Sequence, residues 1–260
     1  MPVIRSDGCP INVVVEGDPG APALILSSSL GTDHGMWEPQ REAFARHFRL
    51  VRYDRRGHGR SGVTAPPYTM AQLGGDVLAV MDALGIRKAS WCGLSMGGMV
   101  GQWLGANAPD RFERLVLCNT CCFYADKQAW NDRIAAVRKN SLAAVAETVP
   151  ARWFTEGFIA REPAQVERLK QMVAATSLDG YIGCCEAIRD MDHRELLARI
   201  TAPTLVIAGR HDIATPPAEA ETIRAHIKGS ELAVLDAAHI SNVEQADGFT
   251  AEVLRFLRAD

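Results

Sequence analysis

The 260-residue chain has no stretch approaching the about 18 consecutive apolar residues of a membrane span, and its opening MPVIRSDGCP has no apolar core of a secretory signal peptide. The expected location is therefore the cytoplasm, with no membrane as partner. The sequence also lacks a charge excess. Its 28 Lys and Arg against 31 Asp and Glu leave a net −3, which gives no basic field for nucleic acid or an anionic lipid surface. Any anionic ligand must be met by local cations. No internal repeat, low-complexity segment or run of like charge is present. Seven cysteines, at 9, 92, 118, 121, 122, 184 and 185, are an odd number, several in apolar context. They fit reduced, buried thiols rather than a disulfide framework. Cys118 and Cys121 have C-x-x-C spacing. There is no second pair for zinc, and Cys118 ends an apolar run instead of opening a redox-active helix, so no metal is expected.

What is present is a 47% hydrophobic chain, enough for one sizeable domain that buries its core without disulfides or metals. Short apolar runs alternate with helical patterns, which predicts an α/β fold with a mostly parallel central sheet flanked by helices. The strand candidates are residues 11–16, 23–27, 49–54, 89–94, 114–119, 203–209 and 231–236. Thr69 caps a helix that stops at Gly85, a second helix follows Ser95 toward Ala108, and an amphipathic helix closes the chain over 243–258. Residues 124–192 break the alternation, showing only helical patterning with Pro150 and Pro163 as breaks. The expected organisation is a core of 1–123 and 193–260 carrying a helical cap of 124–192.

Two glycine motifs compete for a function. Gly57, Gly59 and Gly62 in YDRRGHGRSG have the G-x-G-x-x-G spacing of a dinucleotide loop, which requires a helix to open at once against the pyrophosphate. Pro66 and Pro67 forbid that helix, so no dinucleotide cofactor is expected and the glycines are assigned to turn geometry. Gly93, Ser95 and Gly97 form G-x-S-x-G between a predicted strand and a predicted helix. That context lifts a serine hydroxyl above the sheet on a tight, strained turn. A serine needs a base to take its proton and an acid to orient the base. Asp212 and His239 each follow a predicted strand, giving the order Ser, Asp, His of an α/β-hydrolase. His211, beside the acid, is the main rival base, and the loops bearing His193 and His226 follow no strand. The oxyanion donors are expected to be the backbone N–H groups of Met96 and of Leu30, in the loop LILSSSLGTD. Ser61 has no elbow.

Together SSSLGTDHGMW, RYDRRGHGRSG, CGLSMGGMVGQWLG, LVLCNT, ARWFT and AAHISNVE resemble the 3-oxoadipate enol-lactonases of the β-ketoadipate pathway, within the α/β-hydrolase superfamily. The likeness runs over nearly the whole chain, and the insertion, with WNDRIAAV and GYIGCCEAIRDMD, points to the lactonases in particular. The resemblance implies hydrolysis of a small-molecule partner, 3-oxoadipate enol-lactone, to 3-oxoadipate without metal or organic cofactor. The substrate's free carboxylate calls for an arginine fork. Arg133 is the choice over Arg138, Arg152 and Arg189, with Trp130 and Trp153 as candidate pocket walls. Ser28, Arg55 and the Cys121–Cys122 pair depart from the usual asparagine, threonine and alanines of these enzymes, and the first two are expected to flank the pocket mouth. An esterase, a cofactor-free perhydrolase and a carbon–carbon bond hydrolase use the same scaffold, and a ligand-binding module could keep it without catalysis.

Overall fold

The computed structural model describes residues 4–259. A hairpin of β1 (Ile4–Ser6) and β2 (Cys9–Ile11) precedes β3 (Val13–Glu16), β4 (Ala23–Ser27), α1 (Glu38–Ala45), β5 (Arg49–Tyr53), α2 (Met70–Ala83), β6 (Ala89–Leu94), α3 (Met96–Asn107) and β7 (Phe112–Cys118). Five helices follow: α4 (Lys127–Thr148), α5 (Pro150–Trp153), α6 (Glu156–Arg161), α7 (Pro163–Ala175) and α8 (Leu178–Asp190). The chain then returns through α9 (Arg194–Leu197), β8 (Thr204–Gly209), α10 (Pro217–His226), β9 (Glu231–Leu235), α11 (Ser241–Glu244) and α12 (Ala246–Leu257). Among the described residues no helix is long and apolar enough to cross a membrane.

The seven-stranded sheet has the order β3-β5-β4-β6-β7-β8-β9, and every neighbouring pair is parallel except β3 with β5. β4, β6 and β8 are buried at every residue, as parallel strands covered by helices on both faces must be. The chain leaves β4 to one side for β5 and crosses back to the other side for β6. Order therefore reverses at β4, and the loops after β4 and β6 open a crevice between them at the carboxyl ends. Ser27 stands opposite Gly93 there.

Local chemistry explains where the elements start and stop. The Thr69 hydroxyl accepts from the Gln72 N–H (3.1 Å) to cap α2. Pro150 and Pro163 each open a helix at its first turn, where the missing N–H costs nothing, so they separate helices by starting them. Two expectations are corrected. The run 11–16 is not one strand: Asn12 donates its N–H to Ser61 Oγ and its amide to Asp54, both at 2.9 Å, which pulls it out of line between β2 and β3. The single helix expected over 243–258 is two, since Gln245 leaves helical geometry (φ −124°, ψ 53°) between α11 and α12. Helices α4 to α8 all lie between β7 and β8, and an isolated bridge joins Phe123 to Asp192, so this segment leaves and re-enters the sheet at one place.

The loop after β5 is anchored to α2 by Arg56 and Asp76, both fully buried, with Arg56 Nε 2.7 Å from Asp76 Oδ2. Removing one partner of such a pair strands an uncompensated charge, so Asp76→Ala should destabilise the fold by about 3–5 kcal/mol, read as a lower urea midpoint. An unchanged midpoint would show that the guanidinium reaches water without unfolding.

Candidate active site

Ser95 sits between β6 and α3 at φ 56°, ψ −116°, a conformation that costs a residue with a side chain about 1–3 kcal/mol. The surroundings hold it there. The Ser95 N–H donates to the Cys118 carbonyl (2.8 Å), and the Thr120 hydroxyl donates to the Ser95 carbonyl (2.8 Å). The flanking glycines are needed for room: a Cβ on Gly97 would lie 2.1 Å from the Ser27 carbonyl oxygen, and one on Gly93 would lie 2.2 Å from the Gly97 carbonyl oxygen.

The structure brings the three sequence-predicted residues together. Ser95 Oγ lies 2.9 Å from His239 Nε2, and His239 Nδ1 lies 2.8 Å from Asp212 Oδ2. A carboxylate can only accept, so Nδ1 carries the proton and Nε2 is left to accept from the serine hydroxyl. Asp212 is buried and saturated. Its Oδ1 accepts the N–H groups of Ala214 (2.8 Å) and Thr215 (2.9 Å), and its Oδ2 accepts the Thr215 hydroxyl (2.8 Å) and the Asn119 amide (3.1 Å). Burial alone would raise this carboxyl. The charge and hydrogen bond of His239, the Thr215 N–H and the Asn119 amide outweigh it and hold the value at about 2.

The rival histidines are elsewhere. His211 turns to Asp236 (2.8 Å) and is half exposed, His226 bonds the Thr222 carbonyl (2.7 Å), and His193 is buried against Gln102 (3.2 Å). Ser61 donates to the Asp54 carbonyl and serves the loop. Sequence reasoning missed Asn119, which also donates to the Ala238 carbonyl (3.1 Å) and accepts from Ser241 Oγ (2.6 Å). Its signal was present: it is the residue directly after β7, at the carboxyl edge where Asp212 and His239 were sought.

The Leu30 N–H makes no protein hydrogen bond among the described residues, while the polar groups around it are tied. The Ser29 carbonyl accepts the Thr32 N–H (3.3 Å) and hydroxyl (2.9 Å), the Gly31 N–H donates to His58 Nε2 (3.0 Å), and Arg55 donates to the Ser28 carbonyl. Met96 opens α3, so its N–H has no intrahelical acceptor. Both donors are thus available to a developing oxyanion. His58 and Arg55 belong to the glycine-rich loop after β5, which buttresses the loop carrying Leu30. Gly57 of that loop (φ +78°) packs on α8, where a Cβ would fall 2.3 Å from the Gly180 Cα. Ser28 and Arg55 do not flank a pocket mouth as expected: both are buried behind the loop, with Ser28 Oγ donating to the Asp33 carbonyl (2.9 Å).

A cavity of about 390 Å³ lies over Ser95. The core contributes Leu30, Ser95 and His239, and the helical segment contributes Trp130, Arg133, Arg152 and Trp153. The Arg133 guanidinium donates from Nε to the Tyr181 hydroxyl (2.9 Å) and from Nη2 to the same atom, and stacks 5.4 Å from the Trp130 ring centroid. Its Nη1 has no protein partner among the described residues. Arg138 is exposed and lines no part of the cavity, and Arg189 is taken by Asp190 (2.8 Å).

Other candidate ligand groups are already occupied. Asp33, His34 and Asp54 lie close enough to share an ion, but Asp54 already accepts from His34 N (2.8 Å), His34 Nδ1 (2.8 Å), Asn12 (2.9 Å) and the Arg60 N–H (2.9 Å). Cys118 faces Cys92 at 4.0 Å, and burial pushes the Cys121 and Cys122 thiols up to about 12 and about 11, so they stay protonated.

Burial, followed by the Arg55 charge, lowers His58 from the ordinary 6.5 to about 3, which keeps Nε2 free to accept from Gly31. The folded state refuses a proton that the unfolded chain takes below 6.5, so this contribution is complete above 6.5 and is lost as pH falls toward about 3. His58→Gln should therefore show a shallower loss of stability between these pH values than the parent in urea titrations. Equal slopes would mean that His58 is protonated in the folded state.

Residues 22–246 match the family model described as the alpha/beta hydrolase fold. The chain is 44% identical to 3-oxoadipate enol-lactonase 2 of Acinetobacter baylyi over 94% of this chain and 91% of that protein. It is 40% identical to 3-oxoadipate enol-lactonase 1 of the same organism, over 95% and 92%. The crystal structure of the enol-lactonase from Burkholderia xenovorans superimposes with a TM-score of 0.97 at 42% identity, covering 99% of this chain and 100% of that one. With a serine elbow, an acid and a base in the order those relatives' fold requires, the chain belongs to the α/β-hydrolase family and, within it, to the 3-oxoadipate enol-lactonases.

Proposed function

We propose that the protein is a serine hydrolase that opens a small carboxylated enol-lactone, 3-oxoadipate enol-lactone, to 3-oxoadipate in the cytoplasmic breakdown of aromatic compounds. The observation that carries this reading is one cavity holding an activated serine on its core side and a fixed arginine on its helical side. Ser95 Oγ attacks the lactone carbonyl while His239 Nε2 takes its proton, and Asp212 stabilises the imidazolium that forms. The N–H groups of Leu30 and Met96 receive the oxyanion. Collapse expels the ring oxygen as an enolate, a better leaving group than an alkoxide, which takes the proton from His239. Because the substrate is cyclic, the expelled arm remains joined to the acyl chain on Ser95. Water activated by His239 then attacks the ester and frees both the serine and the diacid.

Residues 124–192 act as a cap that closes this chamber, and specificity resides there. A carboxylate on the substrate would be received by Arg133, whose orientation is fixed by Tyr181 and Trp130 before the ligand arrives. Trp130 and Trp153 supply apolar wall, and Arg152 a second cation. The lactone contributes only one free carboxylate, so a single fixed guanidinium suffices.

Product analysis with enzymatically generated enol-lactone should give 3-oxoadipate, and Ser95→Ala should remove essentially all turnover while keeping the fold. Hydrolysis retained by Ser95→Ala would falsify the mechanism. Arg133→Ala should lower kcat/KM for the carboxylated lactone by about 2–5 kcal/mol in transition-state binding, chiefly through KM, and leave a neutral aryl ester nearly unaffected. Equal losses on both substrates would assign Arg133 to the support of the cap instead.

A further inference from the structure

The backbone of the base loop is held partly from outside the core. Ala238, His239 and Ile240 lie between β9 and α11. On one side of His239 the Ala238 N–H donates to Glu244 Oε2 (2.8 Å). On the other, the Ile240 N–H donates to the Trp153 carbonyl (3.1 Å), at the end of α5 in the helical segment. Glu244 Oε1 reaches the same segment, accepting the Thr155 N–H (3.2 Å) and the Thr155 hydroxyl. Glu244 is only 8% exposed, and its Thr155 partner is the residue that caps α6. Two of its three partners are backbone N–H groups that cannot accept, one on each oxygen. Only a carboxylate, with acceptors at both ends, satisfies them. Trp153 and His239 line the same cavity.

We infer that Glu244 is a positioning residue which locks the 153–155 turn of the cap to the backbone beside His239, so that the base stands at hydrogen-bond distance from Ser95 only while the cap is seated. This rests on the hydrolase reading of the site. The cap then has two separable effects: Arg133 sets which ligand binds, and the Glu244 bridge sets where the base is for any ligand. A displacement of the imidazole by a fraction of an ångström weakens the Ser95 contact and leaves the Arg133 contact to the ligand, held by Tyr181 on α8, in place.

Glu244→Gln keeps the side chain's volume and sets an amide NH₂ against one of the N–H donors. It should lower kcat about ten- to a hundredfold on the carboxylated lactone and on a neutral aryl ester alike, with KM for the lactone unchanged. Labelling of Ser95 by a fluorophosphonate should slow by the same factor. Thr155→Val should lower kcat on both substrates in the same way from the cap side, and Thr155→Ser should restore parent kinetics, so a poorly folding Glu244→Gln leaves a second test. Parent kcat in folded Glu244→Gln, with only a lower Tm, would overturn the inference. So would a rise in KM confined to the lactone. Either result would leave the serine mechanism standing, whereas turnover by Ser95→Ala would remove the reaction on which the bridge acts.

Discussion

Everything in the site depends on how closely α3 approaches β4. The Gly97 position stands so near the Ser27 carbonyl that a methyl group there would overlap it at 2.1 Å. That contact is possible because sheet order reverses at β4, which leaves the loops after β4 and β6 side by side with nothing between their ends. It sets the depth at which Ser95 emerges and puts Leu30, three residues beyond β4, on the same side of the crevice. The strain at Ser95 is sustained by the hydrogen bonds from Ser95 to Cys118 and from Thr120 to Ser95. Any side chain at Gly97 would push α3 away and carry Ser95 and the Met96 N–H together away from the Leu30 N–H.

Around this contact the electrostatics are arranged before any ligand arrives. Asp212 has every acceptor site filled and is held ionised to about 2, so it can stabilise a positive imidazole without taking the proton. On the opposite side of the cavity, the guanidinium of Arg133 is fixed by Tyr181 and Trp130 rather than by a carboxylate. Its charge is therefore not neutralised by a carboxylate partner among the described residues. The net charge of −3 offers no long-range attraction for an anion, so under the proposed function that attraction must come from a local cation.

Much of this was legible in the sequence for identifiable reasons. β4, β6 and β8 are apolar without alternation because both sheet faces are covered. Ser95 follows β6 directly, and Asp212 and His239 lie in the loops just beyond β8 and β9, so finding the strands located all three. Arg133 was one of four candidates, because helical spacing gives no direction toward a cavity assembled from distant segments. His58 and Glu244 were not seen because they hold the Gly31 and Thr155 N–H groups, distant in sequence, which no local pattern encodes; Asn119 stands at the carboxyl end of β7, but nothing local pairs it with Asp212. The same blindness misread 11–16, where Asn12 answers to Asp54 and Ser61. The glycines of YDRRGHGRSG imitate a nucleotide loop because close packing of backbones, here Gly57 on Gly180, requires the same residue as close approach to a phosphate.

In the proposed mechanism the lactone's acyl group is transferred to Ser95 Oγ before water releases it. Rapid acid quenching after mixing with the enol-lactone, followed by mass spectrometry of the peptide containing Ser95, tests this directly. Ring opening onto a serine loses no fragment, so Ser95 should show a transient gain equal to the mass of the whole lactone, absent when Ser95 is replaced by alanine. Full turnover with no adduct at any quench time in a variant slowed at deacylation, or an adduct on another residue, would contradict it.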